Sequence, residues 1–186
     1  MSLKKDKVFL QAEALALSAD RISAVRLHSK GKEVSAWEIQ HDCKGLLWCG
    51  HAVFSAITGL PTSTFRDLVR KKRGNPTANI TGTDESEMEF ALKKSGFKMA
   101  YAYLFGGKAK NSRPGFAHFL QFTRKERARE VFYLIAFAGY KPRECGHWGV
   151  VLNNKFIDND SGGWVDFSDI KRRRMPVDAV FAVKKA

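Results

Sequence analysis

An α+β fold is predicted by the order in which two kinds of sequence pattern follow one another along the 186 residues. Helical patterns occupy residues 49–94, and short apolar segments typical of strands occupy much of residues 97–183. Hydrophobic residues make up 44% of the chain, which is enough for one well-buried core. Because no repeat, low-complexity segment or linker interrupts this order, we expect residues 1–186 to form a single domain.

The first 40 residues are predicted to form an accessory helix and hairpin. Residues 7–17 are rich in Ala, Leu, Gln and Glu, which favours a short helix. Residues 22–27 and 33–39 read as strands on either side of a Ser-Lys-Gly turn at 29–31. Residues 1–40 are therefore an accessory hairpin, a segment that docks a partner, or part of the main sheet.

A buried helix is predicted to begin at Cys49. Residues 52–57 are apolar or small on nearly every side, which is typical of a helix that lies between other elements. Gly59 and Pro61 follow, and these residue types end helices.

Two further helices are predicted before the first strand of the sheet. One covers residues 62–72 and ends before Gly74. The other covers residues 84–94, where Ser86 and Glu89 have the spacing of a capping box.

Strand patterns dominate the second half of the chain. They cover residues 97–105, 131–137, 150–152, 156–158, 164–167 and 179–183. A short helix is predicted at residues 116–122, and the glycine- and lysine-containing residues 106–114 are predicted to form a loop. The segments 150–152 and 156–158 are predicted to form a β-hairpin, because an Asn-Asn-Lys turn separates them.

Cys49 and His147 are the residues that point to chemistry, since one opens an apolar helix and the other an apolar strand. A neighbouring imidazole can hold the proton of a thiol and leave a nucleophilic thiolate. At a helix N-terminus, unpaired backbone N–H groups and the macrodipole favour negative charge and can stabilise an oxyanion. We therefore predict Cys49 as nucleophile and as backbone donor to the oxyanion, with His147 as its acid and base.

A third group is needed to orient the imidazole through its other nitrogen. The predicted hairpin returns the chain from His147 to Asp158, Asn159 and Asp160. Strand alternation lets only some of these side chains point inward. We favour Asp158 and leave Asn159 and Asp160 as alternatives.

The remaining cysteines and one further histidine are weaker candidates. Cys43 follows an acidic residue but does not begin an apolar helix, and Cys145 lies two residues before His147. His51 lies two residues after Cys49, and a helix places such neighbours on different faces. We expect Cys43 and Cys145 to be alternative thiols at most and His51 to be structural.

Several motifs occur in an order that resembles a known superfamily. They are Cys49 with a helix ending in Thr-Gly-Leu-Pro at 58–61, a basic segment at 70–75, Ala-Leu-x-x-x-Gly-Phe at 91–97, and a His-strand-turn-Asp unit from His147 to Asp158. Over roughly residues 43–167, the chain resembles the papain-like cysteine peptidases, and most closely small papain-fold proteins of bacteria and their phages.

The resemblance implies a papain-like fold, with the nucleophile-bearing helix packed on an antiparallel sheet. It also implies a thiol hydrolase that attacks a peptide, isopeptide or related amide bond of a protein or peptide through an acyl-enzyme intermediate, with no cofactor. Papain-like enzymes usually supply a Gln or Asn side chain before the nucleophile as second oxyanion donor. The nearest amide here is Gln40, nine residues before Cys49. A host-directed effector would use the same chemistry on an unknown protein.

A strong positive charge supports a second hypothesis. The net charge is +13, and basic residues cluster at Arg70, Lys71, Lys72 and Arg73, at Arg124, Lys125 and Arg127, and at Lys171, Arg172, Arg173 and Arg174. Such clusters attract nucleic acid or acidic protein surfaces. The alternative is therefore a catalytically weak or inactive papain-fold structural component, for example of a phage particle, that binds such a partner.

The composition excludes other classes. No stretch approaches the ~18 consecutive apolar residues of a membrane span, and the N-terminus lacks the apolar core of a signal peptide. Three cysteines without an export signal favour reduced thiols, and Cys43 and Cys49 lack the spacing and partners of a zinc site. We expect no metal, no membrane, and a location in the cytoplasm, or in a virion if the protein is encoded by a phage.

Overall fold

A six-stranded antiparallel sheet with helices on both faces organises the computed structural model of the chain. The structure describes residues 24–27, 34–43, 47–105, 113–125, 127–128, 131–139, 146–171 and 173–186. The predicted helix at residues 7–17 and most of the predicted loop at 106–114 lie outside these ranges.

The helices lie where the sequence predicts them. They are α1 at Cys49–Thr58, α2 at Thr62–Arg73, α3 at Glu85–Lys94 and α4 at Phe116–Phe122. Gly59 ends α1 with a φ of 73°, and Gly74 ends α2 with a φ of 66°. Both values lie in the left-handed region that glycine adopts most easily, so these two residues fix where the helices stop.

A capping box begins α3, but it is formed by Asp84 and Glu87 and not by the predicted Ser86 and Glu89. Asp84, in extended conformation, accepts a hydrogen bond from the backbone N–H of Glu87, and the Glu87 side chain accepts one from the backbone N–H of Asp84. Ser86 instead donates its hydroxyl to Asp84. The acidic residue therefore caps the helix, because its side chain lies one position before the first helical turn.

The strands form two sheets. They are β1 at Ala24–Leu27, β2 at Val34–Trp37, β3 at Phe97–Leu104, β4 at Phe132–Phe137, β5 at His147–Leu152, β6 at Lys155–Ile157, β7 at Val165–Asp166 and β8 at Val177–Lys185. β1 and β2 pair with each other, and the larger sheet has the order β3-β8-β4-β5-β6-β7. All pairs are antiparallel.

The larger sheet separates two apolar clusters. Phe132 and Leu134 of β4 pack with α1, α2 and α3, whereas Tyr133 and Ile135 pack with α4. This division follows from the alternation of side chains along a strand. The α+β class and the packing of the Cys49 helix on an antiparallel sheet, both predicted from the sequence, are confirmed.

The segment before α1 is tied to that helix along its length. The backbone N–H of Gln40 donates to the Ser55 hydroxyl at 2.8 Å, and the Gln40 carbonyl accepts from the backbone N–H of Thr62 at 2.9 Å. The Trp37 ring lies against Gly59, where an added Cβ would come within 2.7 Å of it. α1 is therefore enclosed by β2 and its following segment as well as by the sheet.

The two predicted N-terminal strands are confirmed, and they form a separate small sheet. Ala36 of β2 is buried in the cluster around α1, and the carbonyl of Trp37 accepts a hydrogen bond from Trp164 Nε1 at 2.9 Å.

Among the described residues, no helix has the length and apolar character needed to cross a membrane.

Candidate active site

Cys49 is the first residue of α1 and is partly buried. Trp48 before it is extended, and the first helical bond runs from Ala52 N–H to the Trp48 carbonyl at 3.0 Å. The helix therefore leaves the backbone N–H groups of Cys49, Gly50 and His51 without an intrahelical acceptor. The Cys49 thiol thus lies at the positive end of a buried helix.

The imidazole of His147 is the main partner of the Cys49 thiol. Burial raises the pKa of Cys49, but a hydrogen bond and the charge of His147 lower it, as do bonds from the backbone N–H groups of Trp148 and Gly50. The net effect is a pKa below the ordinary value of a thiol. This is the condition under which a cysteine holds nucleophilic thiolate near neutral pH.

His147 is fixed from its other side by a buried carboxylate. Its Nε2 lies 3.0 Å from Asp158 Oδ2, and the two side chains are only 10% and 3% exposed. The second carboxylate oxygen, Oδ1, accepts the backbone N–H of Asp160 at 3.0 Å. With Nε2 held by Asp158, Nδ1 is the ring nitrogen left for the thiol.

The structure distinguishes the three predicted orienting residues by their contacts. Asp158 contacts His147, whereas Asn159 donates its amide to the exposed Asp160 at 2.9 Å. Ser161 accepts the backbone N–H of Asp158 and donates to the Asp158 carbonyl, so the turn after β6 is closed on itself. This turn holds the Asp158 carboxylate toward β5.

Gly149 is tightly packed on β5, two residues after His147 and opposite Ile135 of β4. A Cβ on Gly149 would lie 2.7 Å from Cζ of the Phe156 ring, which real packing does not allow. A residue with a side chain would therefore displace Phe156 or β5 beside the site.

Thr83 forms one wall of the site, and the sequence analysis missed it. Its carbonyl accepts a hydrogen bond from Trp148 Nε1 at 3.2 Å, and a Cβ on Gly50 would lie 2.5 Å from its hydroxyl. Trp148 itself is buried in the core beside α1. The one sequence signal for this contact is the glycine directly after Cys49, since it permits the close approach.

Gln40, the predicted second oxyanion donor, is bound elsewhere by its observed contacts. Its Nε2 donates to the Glu38 carbonyl at 3.0 Å, and its backbone bonds to Ser55, six residues after Cys49. Six helical residues span about 9 Å along the axis. The contacts thus attach Gln40 to the middle of α1, and one amide hydrogen remains for another acceptor.

The other sulfur and imidazole candidates have different surroundings. Cys43 Sγ lies 3.7 Å from Thr62 Oγ1 and 3.5 Å from Arg66 Nη1. His51 is 6% exposed and packs edge-on against Phe65, and burial together with the charge of Arg66 lowers its pKa to about 4. His51 is therefore neutral at physiological pH, as a structural residue would be. Cys145 lies outside the described residues.

The first predicted basic cluster is largely engaged within the fold. Arg73 binds Glu87 at 2.6 Å, and Arg70 donates to the Ala78 carbonyl at 2.9 Å. Lys72 lies over the Phe90 ring, 5.9 Å from its centroid. Much of this cluster therefore holds α2 against the following loop and α3.

The third predicted basic cluster, at residues 171–174, is exposed where the structure describes it. Arg173 donates to the carbonyls of Phe167 and Ser168, while Arg172 lies outside the described residues.

Within the ranges that the structure covers, no group of three or more His, Cys, Asp or Glu side chains is arranged to hold a metal ion.

Comparison with known proteins finds similarity among solved structures. No family model matches the chain, and no curated protein matches it. Among solved structures, the chain is similar to the peptidase domain of Streptococcus ComA, a bifunctional ABC transporter involved in a quorum-sensing pathway. The TM-score is 0.47 at 17% identity, over 74% of this chain and 91% of that one. We draw no conclusion about activity from a likeness of this extent.

Proposed function

We propose that the chain is a papain-like thiol hydrolase that cleaves a peptide, isopeptide or related amide bond. Two successive contacts support this proposal: the Cys49 thiol contacts the His147 imidazole, and that imidazole contacts the buried Asp158 carboxylate. Nucleophile, base and orienting acid are the three parts that such chemistry requires. A buried helix supplies Cys49, the first strand of a hairpin supplies His147, and the turn after its second strand supplies Asp158.

The reaction follows from the roles of these atoms. The Cys49 thiolate attacks the substrate carbonyl, and the backbone N–H of Cys49 stabilises the oxyanion. The His147 imidazolium protonates the leaving amine as the C–N bond breaks, which leaves a thioester on Cys49. His147 then takes a proton from a water molecule as its oxygen attacks the thioester, which releases the carboxylic acid and restores the Cys49 thiolate and the His147 imidazolium.

Asp158 has a positioning role in this scheme. Its Oδ2 holds Nε2 of His147, which fixes the ring and stabilises the imidazolium that forms. Because Asp158 is 2% exposed, water does not compete for this contact. The pair therefore stays aligned through both steps.

Gln40 remains the proposed second oxyanion donor, through its remaining amide hydrogen. Gln40→Ala tests this role directly. Loss of an oxyanion donor lowers kcat by about 10²–10³-fold. A smaller loss, below about tenfold, would assign Gln40 to the support of α1 through Ser55 instead.

The first experiment is alkylation of Cys49 by iodoacetamide from pH 4 to 9, followed by peptide mass spectrometry that reports each cysteine separately. Because His147 lowers the pKa of Cys49, we expect rapid labelling to persist to lower pH than for an ordinary thiol. In His147→Ala both lowering effects of His147 are lost, while burial still raises the pKa and the backbone N–H groups of Trp148 and Gly50 still lower it. The inflection should then lie at higher pH than in wild type.

Cys43 is the internal control in the same sample. Its labelling should be the same in wild type and in His147→Ala, because its observed contacts are with Thr62 and Arg66. If Cys49 labels slowly in wild type, or if His147→Ala leaves its pH profile unchanged, the hydrolase proposal is wrong.

The strong positive charge supports a binding partner in addition to the substrate of the proposed hydrolase. We propose a protein or peptide as substrate, and we retain nucleic acid or an acidic protein surface as a binding partner on the basis of the net charge of +13. Affinity that falls steeply with salt would support the partner. A location in the cytoplasm or in a virion stays an expectation of the sequence.

A further inference from the structure

Two basic segments that are far apart in the sequence meet at one pocket. Arg124 and Arg127 follow α4, and Arg173 lies just before β8. All three line a pocket of about 470 Å³, together with Phe167, Asn154 and Gln121 among others. We call this the arginine pocket.

The positive charge of the arginine pocket has no carboxylate partner in the described part of the chain. The ion pairs found there on this side of the sheet are Lys155 with Asp166 and Arg113 with Asp178. Arg124, Arg127 and Arg173 are in none of the ion pairs between described residues. Three guanidinium groups therefore surround one cavity without a neutralising acid among those residues.

Arg127 is the most enclosed of the three. Its Nη1 donates to the Leu120 carbonyl at 3.2 Å and to Thr123 Oγ1 at 3.1 Å, and its guanidinium lies 5.3 Å from the centroid of the Phe167 ring. Its Nε is buried and has no hydrogen-bond partner among the described residues. A buried donor without an acceptor is costly, which indicates a missing partner.

Burial also lowers the pKa of Arg127, against smaller opposing effects of Tyr133 and Tyr103, and the charge of Arg124 adds the smallest effect in the same direction as burial. The protonated guanidinium is thus less favourable here than in water. An anion in the pocket would offset this cost, because it would interact with both positive charges.

The chemistry of the lining selects the kind of anion. A guanidinium matches the oxygens of a phosphate in two parallel hydrogen bonds, and a phosphate monoester offers three acceptor oxygens and nearly two negative charges to several arginines at once. The volume is larger than one phosphate needs and lies within the range of small-molecule sites. Phe167 adds an apolar surface, and Asn154 and Gln121 add amide groups.

We propose that the arginine pocket binds a phosphate-bearing ligand of nucleotide size. A free nucleotide and one nucleotide of a single strand offer the same chemistry to it. Its position separates it from the candidate active site. Asn154 lies in the turn after β5, seven residues from His147, and a strand of that length spans on the order of 20 Å. The site therefore goes beyond the proposed hydrolase activity and does not depend on it.

Binding is measured by isothermal titration calorimetry on the full chain at low salt, with three probes: inorganic pyrophosphate, AMP and a ten-nucleotide single-stranded DNA. The variant is Arg124→Gln, because Arg124 is exposed and its replacement does not disturb the core. The control is Arg174→Gln, which removes the same charge from an exposed neighbour of Arg173. We expect Arg124→Gln to weaken binding at least tenfold and Arg174→Gln to change it less than twofold.

The three probes distinguish the source of the phosphate. Binding of AMP that Arg124→Gln weakens supports a free nucleotide, and tighter binding of the oligonucleotide with the same sensitivity supports a single strand. Pyrophosphate binding with that sensitivity also supports the site. Failure of all three probes to bind overturns the proposal. So does equal loss in the two variants, or an acidic peptide that competes as well as AMP.

Discussion

Two thiols of this chain, Cys43 and Cys49, lie six residues apart, and both are partly buried. Cys43 lies against the Arg66 guanidinium, whereas Cys49 lies against the His147 imidazole. Histidine can give up a proton and take one back near neutral pH, whereas arginine stays protonated. Of these two neighbours, His147 is therefore the one whose side chain can exchange protons with a thiol.

The second difference is the support behind each partner. His147 is held by a carboxylate that is itself almost fully buried. Arg66 bonds to Asp67, whose side chain is 63% exposed, so water competes for that contact. The Cys49 region thus has an imidazole held by a buried carboxylate, and the Cys43 region has a guanidinium held by an exposed one.

The largest expected effect is that of Cys49→Ser, with Cys43→Ser as its matched control. Cys49→Ser should remove the burst of p-nitrophenol from p-nitrophenyl acetate and lower its hydrolysis by ~10³-fold or more, since the nucleophile is lost. Cys43→Ser should keep the rate within about twofold. A burst that disappears in Cys43→Ser and persists in Cys49→Ser would show that Cys43 is the nucleophile and Cys49 is not.

Removing the carboxylate behind His147 should have the next largest effect. Asp158→Ala should lower the same rate by about 10²-fold, because the imidazole loses its orientation and the imidazolium loses a partner. Asp160→Ala is the matched control, since it removes an exposed carboxylate but keeps the backbone N–H that holds Asp158. Equal rates in the two variants would show that Asp158 does not orient the base.

The tight packing around Gly149 can be tested by measuring the stability of a variant. Gly149→Ala should lower the free energy of unfolding by about 2 kcal/mol in urea, because the added methyl meets the Phe156 ring. Gly82→Ala is the control, since a Cβ there meets nothing within 4 Å and should change stability by less than about 0.5 kcal/mol. No loss of stability in Gly149→Ala would mean that the ring moves aside freely.

The smallest effect should come from the cation beside Cys43. Arg66→Gln should leave the pH inflection of Cys49 in place, because the causes of the lowered pKa of Cys49 are His147 and nearby backbone groups. Peptide mass spectrometry at several pH values measures both thiols in one sample. A shift of the Cys49 inflection as large as that in His147→Ala would remove the contrast between the two regions.

Local features of the fold were predictable because the signals are local. A cysteine before an apolar run places the start of α1, and glycines at positive φ place the ends of α1 and α2. The Asn-Asn turn, with Asn153 at a φ of 55°, sets the hairpin that returns the chain to Asp158. The capping box was misplaced because several polar residues near position 84 have similar spacings.

Long-range features were not predictable from the same signals. The place of β8 between β3 and β4 depends on pairing between segments about 80 residues apart, for which periodicity gives no register. The approach of Thr83 to Gly50 and the meeting of Arg124 with Arg173 have the same origin. Sequence reasoning found the charges, but the fold decides what each of them meets.

The position of β5 in the chain has a consequence for the reactivity of the thiol during synthesis. β5 carries His147, whose hydrogen bond and charge lower the pKa of Cys49. Cys49 leaves the ribosome long before residues 147–152 do. Until β5 has formed and placed His147 beside it, Cys49 of a nascent chain lacks the side chain that lowers its pKa.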